Sequence, residues 1–266
     1  MFKDFPPFVP DGTLADKVIL ITGASQGIGL IAAYGFARAG ATVALGARRG
    51  DVVAEHAAKI SEAGGKAVGL AMDVTDEQSV KDFVDAVVRR FGRLDGAFNN
   101  AGMDPKSHGG LVDIPFDEWK AIHAVKIDGT YLSMKYEIPY MLENGKGAIV
   151  NNGSVVSERT PSRVPAPSSS QSAITGMTRS AASAYGHANI RVNMLATGLI
   201  LTPERVQGYY KGQDERMKAF APMQRPGTGE DVSQVAAWLL SDFSAYVNGA
   251  VIPVDGGHLA GTYQPG

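Results

Sequence analysis

The run Thr22-Gly23-Ala24-Ser25-Gln26-Gly27-Ile28-Gly29 has the residue types that bind a pyrophosphate through backbone. Glycine at 23 permits a tight turn. Glycine at 27 lets the main chain approach a phosphate with no Cβ in the way, and glycine at 29 lets a helix pack closely on a strand. A helix starting there would add free N–H groups and positive potential, with Ser25, Gln26 and Ile28 at its mouth. An ordinary glycine-rich turn has the same composition, so the neighbouring elements decide. Val18–Ile21 reads as a buried parallel strand, and Leu30–Arg38, ending at Gly40, has helix-forming composition. Strand, glycine turn and helix together give a dinucleotide-binding context. The next apolar strand, Ala41–Gly46, runs into Ala47-Arg48-Arg49, where an acid would bond the ribose of NAD and repel a 2′-phosphate. Two guanidinium forks suit that phosphate instead, which predicts NADP(H) with Arg48 as main contact and Arg49 as secondary.

The rest of the chain continues the alternation that such a site requires. Helices are expected over 52–63, from a start at 75–77 to 91, and over 115–136, 168–185, 203–220 and 231–240. Strands are expected over 67–72, 94–98, 148–151, 190–195 and 251–254. In the helix that ends at Phe91, Val80, Phe83, Val84, Val87 and Val88 form a stripe read as core packing. The implied fold is α/β: a Rossmann-type doubly wound parallel sheet of seven strands in one domain, residues 15–266, after an N-terminal extension, 1–14. The Pro/Ser-rich run Thr160–Ser170 reads as a loop in an important place, and 203–222 as a substrate lid.

Composition narrows the function classes. At 266 residues and 44% hydrophobic content the chain can bury one large core. With 25 basic and 27 acidic residues it offers no bulk charge for nucleic acid or an anionic membrane. The absence of cysteine removes disulfides, thiolate catalysis and cysteine metal sites. The five histidines lack ligand spacing, so no zinc is expected. No stretch reaches the roughly 20 apolar residues of a membrane span, which points to a cytoplasmic protein.

The glycine spacing, with Asn99-Asn100-Ala101-Gly102, Arg191-Val192-Asn193 and Val254-Asp255-Gly256-Gly257 in order, resembles the short-chain dehydrogenase/reductase superfamily over residues 14–258. The resemblance implies that Asp73, with Val74 beside it, lies near the adenine. It puts Asn100, Ala101 and Gly102 beside the cofactor ribose, and Gly198, Ile200 and Thr202 at the nicotinamide. Thr197 stands where the family usually has proline. The family's reaction uses an asparagine, a serine, a tyrosine that donates the proton, and a lysine. The resemblance places Ser154 at the serine position. It places Pro167 at the tyrosine, Gln171 at the lysine and Lys126 at the asparagine. No tyrosine occurs between Met141 and Ala184, so no shift of register supplies the missing acid.

Three functions fit this pattern. Hydride transfer to an iminium needs no protonated tyrosine, because the product is already a neutral amine. The site could instead guide a cyclisation, and the loss of tyrosine and lysine with an intact cofactor turn resembles the fungal reductase/Diels–Alderases of indole-alkaloid pathways. A non-catalytic NADP-binding sensor is the third. An iminium site calls for an acid, for which Asp128 and Glu158 are the candidates. Lys126 is read either as a catalytic cation or as a solvated lysine on helix 115–136. Met103, Pro167, Tyr209, Tyr210 and Met223 would line a pocket for a bulky apolar substrate. The family resemblance also implies a homodimer or homotetramer packed through 115–136 and 168–186, where Ala173, Gly176, Ala181 and Ala184 allow close approach.

Overall fold

The structure is a computed structural model that describes residues 9–203 and 220–261. Seven parallel strands form one sheet: β1 Val18–Thr22, β2 Thr42–Ala47, β3 Lys66–Ala71, β4 Gly96–Asn99, β5 Gly147–Ser154, β6 Ile190–Thr197 and β9 Val251–Val254. Their order is β3-β2-β1-β4-β5-β6-β9. The direction of winding therefore reverses between β1 and β4. At that reversal the loops leave the carboxyl ends of the two strands in opposite directions and open a crevice. A short additional pair, β7 Ile200–Leu201 and β8 Gly227–Thr228, stands outside the main sheet.

Seven α-helices lie among the described residues: α1 Gly27–Arg38, α2 Gly50–Glu62, α3 Glu77–Phe91, α4 Phe116–His123, α5 Gly129–Glu143, α6 Pro165–Tyr185 and α7 Gly229–Leu240. The two faces of the sheet bury separate cores. Ile19 and Ile21 join Phe36, Val232 and Ala236 on one face. Their neighbours Val18 and Leu20 join Phe83, Val87 and Met141 on the other. This alternation is the strand period expressed as a doubly wound sheet. The stripe of α3 is buried at Val80, Phe83, Val84 and Val87, as its spacing requires. Asp76 caps that helix by accepting from the Ser79 N–H, and Gly92 ends it in the left-handed conformation.

Three expectations need correction. The helix read over 115–136 is two helices, α4 and α5, joined by a π turn over Ala124–Asp128. The Gly129 N–H bonds Ala124 O five residues back, so the extra residue rotates the side chains of the turn out of α4's register. Helix α5 also runs on through Pro139 to Glu143. Next, α6 begins at Pro165 rather than 168, because proline is tolerated in a first helical turn, where the missing N–H costs nothing. Half of the presumed loop 160–170 is therefore helix. Finally, the described end of the N-terminal extension belongs to the core: Val9 and Leu14 are buried in the cluster around α1. The helix expected over 203–220, most of the lid, and Tyr209 and Tyr210 lie outside the described residues.

Candidate cofactor and active site

The glycine turn has the geometry of an anion cradle. Gly23 and Gly27 take positive φ angles of 68° and 59°. A Cβ on Gly23 would lie 2.8 Å from Ala101 Cα, and one on Gly29 only 2.5 Å from Gly23 O. Only glycine fits at 29, and α1 starts two residues earlier, at Gly27. Gln26 is the N-cap of α1 but its side chain makes no cap bond. It accepts instead from Arg49 Nη2 at 2.6 Å, and Ser25 Oγ lies 3.0 Å from the same nitrogen. Arg49 thus lies across the mouth of the turn, while Arg48 is exposed beside it.

Arg48 faces Asp73. Partial burial opposes ionisation of Asp73, yet hydrogen bonds from the Thr75 N–H and hydroxyl, with the Arg48 charge, hold its carboxyl below the usual range. Val74 is buried and presses on Gly129, where an added Cβ would lie 2.9 Å from Val74 Cγ2. Its place is under α5.

At the end of β4, Asn100 does more holding than offering. Its N–H and that of Ala101 bond Thr22 Oγ1 at 3.0 and 2.9 Å. Its amide donates to Thr22 O, and its Oδ1 accepts from Asn152 Nδ2 at 2.8 Å. This side chain joins β1, β4 and β5, and Gly102 is the exposed residue of the three. From the far side, Thr202 approaches the turn, its Cγ2 lying 3.5 Å from a Cβ built on Gly27. Ile200 is fully buried beneath it, and Gly198 passes close to Asp255.

Ser154 ends β5, half-buried, and caps the 3₁₀ turn Val155–Ser157 through a 3.4 Å bond from the Val156 N–H. Pro167 is half-buried in the first turn of α6, and Gln171 is buried one helical turn later. Gln171 Oε1 has no partner among the described residues and lies 3.2 Å from a Cβ built on Gly153. Lys126 sits on the π turn, half-buried, and this overturns its reading as a solvated helix lysine. Its Nζ is 3.5 Å from Asn152 O, and a Cβ on Gly102 would lie 2.7 Å from it. The two acids expected near an iminium are both exposed: Asp128 on the outer side of the π turn and Glu158 past the end of β5. Met103 is half-buried near Gly102, and Met223 is 62% exposed where its N–H bonds Gly256 O. A cavity of about 480 Å³ lies elsewhere, between Val9–Thr13 and Trp238, Phe243 and Gln234, away from all of this chemistry.

One cluster escaped the sequence reading. Glu137 is fully buried in α5, bonded through Oε2 to Asn99 Nδ2 at 3.1 Å. Asn99 also reaches Asn151, which donates to Thr178. Burial, only partly opposed by the Asn99 bond, pushes the Glu137 carboxyl up to about 8. The available signal was a lone acid among Leu132, Met134, Ile138 and Met141.

A parallel sheet with its winding reversal above a glycine cradle defines a dinucleotide-binding α/β protein. This chain belongs to the short-chain dehydrogenase/reductase superfamily: the family model described as enoyl-(acyl carrier protein) reductase matches residues 23–258. An uncharacterized oxidoreductase, YxbG, of Bacillus subtilis is 38% identical over 95% of this chain and 94% of its own. The 2,5-dichloro-2,5-cyclohexadiene-1,4-diol dehydrogenase of Sphingobium indicum is 35% identical over 93% of this chain and 98% of its own. A solved short-chain type dehydrogenase/reductase from Mycobacterium ulcerans, 30% identical, superposes with a TM-score of 0.86 over 93% of this chain and 91% of its own. The chain is accordingly an oxidoreductase of a family that binds a nicotinamide cofactor and acts on small molecules. Among the described residues, no helix is long and apolar enough to cross a membrane.

Proposed function

We propose that this protein is an NADP(H)-dependent oxidoreductase of a bulky cyclic small molecule, working without the family's tyrosine acid. The supporting observation is the pair Arg48 and Arg49 at the end of β2, with Arg49 laid across Ser25 and Gln26. The fit of a dinucleotide rests on the cradle, where a side chain at position 29 would strike Gly23 O. When bound, the nicotinamide supplies or accepts hydride. Gly23, Gly27 and the start of α1 would hold the pyrophosphate, Arg48 and Arg49 the 2′-phosphate, and Ile200 and Thr202 the nicotinamide side. Ser154 positions the reacting group of the substrate at the end of β5.

Titration of NADPH and NADH by cofactor fluorescence tests the cofactor reading. NADPH is expected to bind at least 10-fold more tightly. Arg48→Ala should remove most of that preference and Arg49→Ala a smaller part, since charge-assisted bonds to a phosphate contribute roughly 1.5–3 kcal/mol each. Equal affinities in the unaltered protein sink the assignment.

A second reading concerns the acceptor. Pro167 has no proton to give and Gln171 has no charge, so reduction of a cyclic iminium fits the helix side of the site, with a guided cyclisation of the product as a possible sequel. The exposed places of Asp128 and Glu158 give that cation no counter-charge, and Lys126 brings a positive charge toward the same strand ends. The carbonyl and iminium readings therefore separate in the substrate comparison described in the Discussion.

Self-association through α5 and α6 follows from the same reading. Tyr131 and Leu142 on α5 are 51% and 42% exposed, and Gly176 on α6 has nothing close to it. We expect a dimer or tetramer; a monomer by light scattering at micromolar concentration would refute this.

A further inference from the structure

We propose that Ser169 is an activated nucleophile, primed by His123 to take an acyl group from an activated ester. This activity goes beyond hydride transfer and uses neither the glycine turn nor Ser154. Near its start α6 runs Ser168-Ser169-Ser170-Gln171-Ser172. Ser168 gives its hydroxyl proton to Val164 O at 2.8 Å, Ser170 to Pro167 O at 2.9 Å and Ser172 to Ser168 O at 3.1 Å. Ser169 differs. Its Oγ lies 2.9 Å from His123 Nε2, a ring nitrogen carried by α4, with Ala166 O as the other acceptor in reach at 3.0 Å. Gln171 lies against Gly153 of β5, and Pro167 shares that side of α6 one turn earlier. Ser169 is about 200° around the helix from Pro167, and so turns to α4 instead.

The roles within this pair are fixed from the far side of the ring. His123 Nδ1 is 2.7 Å from Trp119 O, one helical turn back in α4. A carbonyl oxygen only accepts, so Nδ1 carries the proton and Nε2 of the neutral ring offers a lone pair. Ser169 is then the donor, and hydroxyl, base and orienting carbonyl follow one another as an activated nucleophile requires. The Trp119 ring also holds the imidazole, with centroids 4.3 Å apart and planes inclined by 32°. Ser169 and His123 are both half-buried, which leaves the pair within reach of a small ester. In the reaction Oγ forms a bond to the acyl carbon, the ester C–O bond breaks, and the alcohol leaves with the electron pair. The hydroxyl proton passes to Nε2. The resulting imidazolium keeps an acceptor at each nitrogen, Trp119 O and the new ester oxygen.

The test is covalent labelling of the full-length protein, with p-nitrophenyl acetate and diisopropyl fluorophosphate as probes. Release of nitrophenolate or fluoride gives the rate, and peptide mass mapping gives the site. The expected product carries one acetyl or phosphoryl group per chain, on Ser169 and not on Ser168, Ser170 or Ser172. His123→Phe keeps a ring against Trp119 and removes the base. Labelling should then slow by about 10² to 10⁴, the usual contribution of a positioned base. Ser169→Ala should abolish it, with a melting temperature close to the parent's in both variants. Labelling of the parent that spreads over several serines, or falls elsewhere, overturns the inference. So does an unchanged rate in folded His123→Phe. If a variant does not fold, the labelled position in the parent, read against its neighbouring serines, still decides.

Discussion

Replacing Glu137 with glutamine is expected to raise the melting temperature by several degrees at pH 8 and to change it little at pH 5. The carboxyl is fully buried and its acidity is suppressed from an ordinary 4.5 to about 8, chiefly by loss of water, with the Asn99 bond working the other way. The sign follows from proton counting. Below about pH 4.5 both folded and unfolded chains hold the proton, and the stabilisation is complete. Between that point and about pH 8 the unfolded chain has lost its proton while the folded one keeps it. Stability then falls with rising pH by on the order of 1 kcal/mol per unit. Glu137 Oε1 lacks a hydrogen-bond partner among the described residues, and a buried carboxylate oxygen without a donor is costlier than the same oxygen of a neutral acid. Glutamine keeps the shape and a donor while removing the charge. Thermal melts of both proteins between pH 5 and 9 give the result directly. Parallel curves would show that Glu137 is ionised in the folded protein, or that its charge is compensated.

Pro167→Tyr is expected to increase NADPH-dependent reduction of a cyclic ketone by about 10² to 10⁴, the usual contribution of a positioned general acid. Pro167 is half-buried near the start of α6, and tyrosine there restores a backbone N–H without breaking a helix interior. The phenol would deliver a proton to the oxygen that Ser154 positions, and Lys126 already provides a cation at that edge. Reduction of a matched cyclic iminium should hardly change, because its product needs no proton. Steady-state oxidation of NADPH with both substrates decides the matter. Robust ketone reduction by the parent protein would defeat the tyrosine-free mechanism and direct attention to Tyr209 and Tyr210.

The fold was written plainly in the sequence because its signals are local. Val18–Ile21, the glycines at 23, 27 and 29, and the stripe of α3 each depend on residues a turn or a strand apart. Helix boundaries were less legible where proline gave a mixed signal: Pro165 starts α6 and Pro139 lies inside α5, yet both suggest interruption. The site was half legible. Types and spacing marked Ser25, Gln26, Arg48 and Arg49 as cofactor residues, but which arginine would lie across Ser25 and Gln26 depends on side-chain reach. The two readings of Lys126 stayed open because a π turn leaves no mark in hydrophobic period, and one inserted residue decides whether a lysine meets water or strand ends. The Glu137 cluster joins residues from β4, α5, β5 and α6. Nothing in a linear reading brings them together.

The strand order also carries a cost for the growing chain. β1 lies between β2, which follows after one helix, and β4, whose neighbouring Asp95 bonds the Val18 N–H across 77 residues. The segment through β3 can assemble from near neighbours, with β1 at its border. Until β4 arrives, that border is a row of unpaired amides beside Val18, Leu20 and Ile21, the kind of edge that recruits strands from other chains. Refolding should therefore be slowed by one late docking step, and aggregation during that interval should rise with protein concentration.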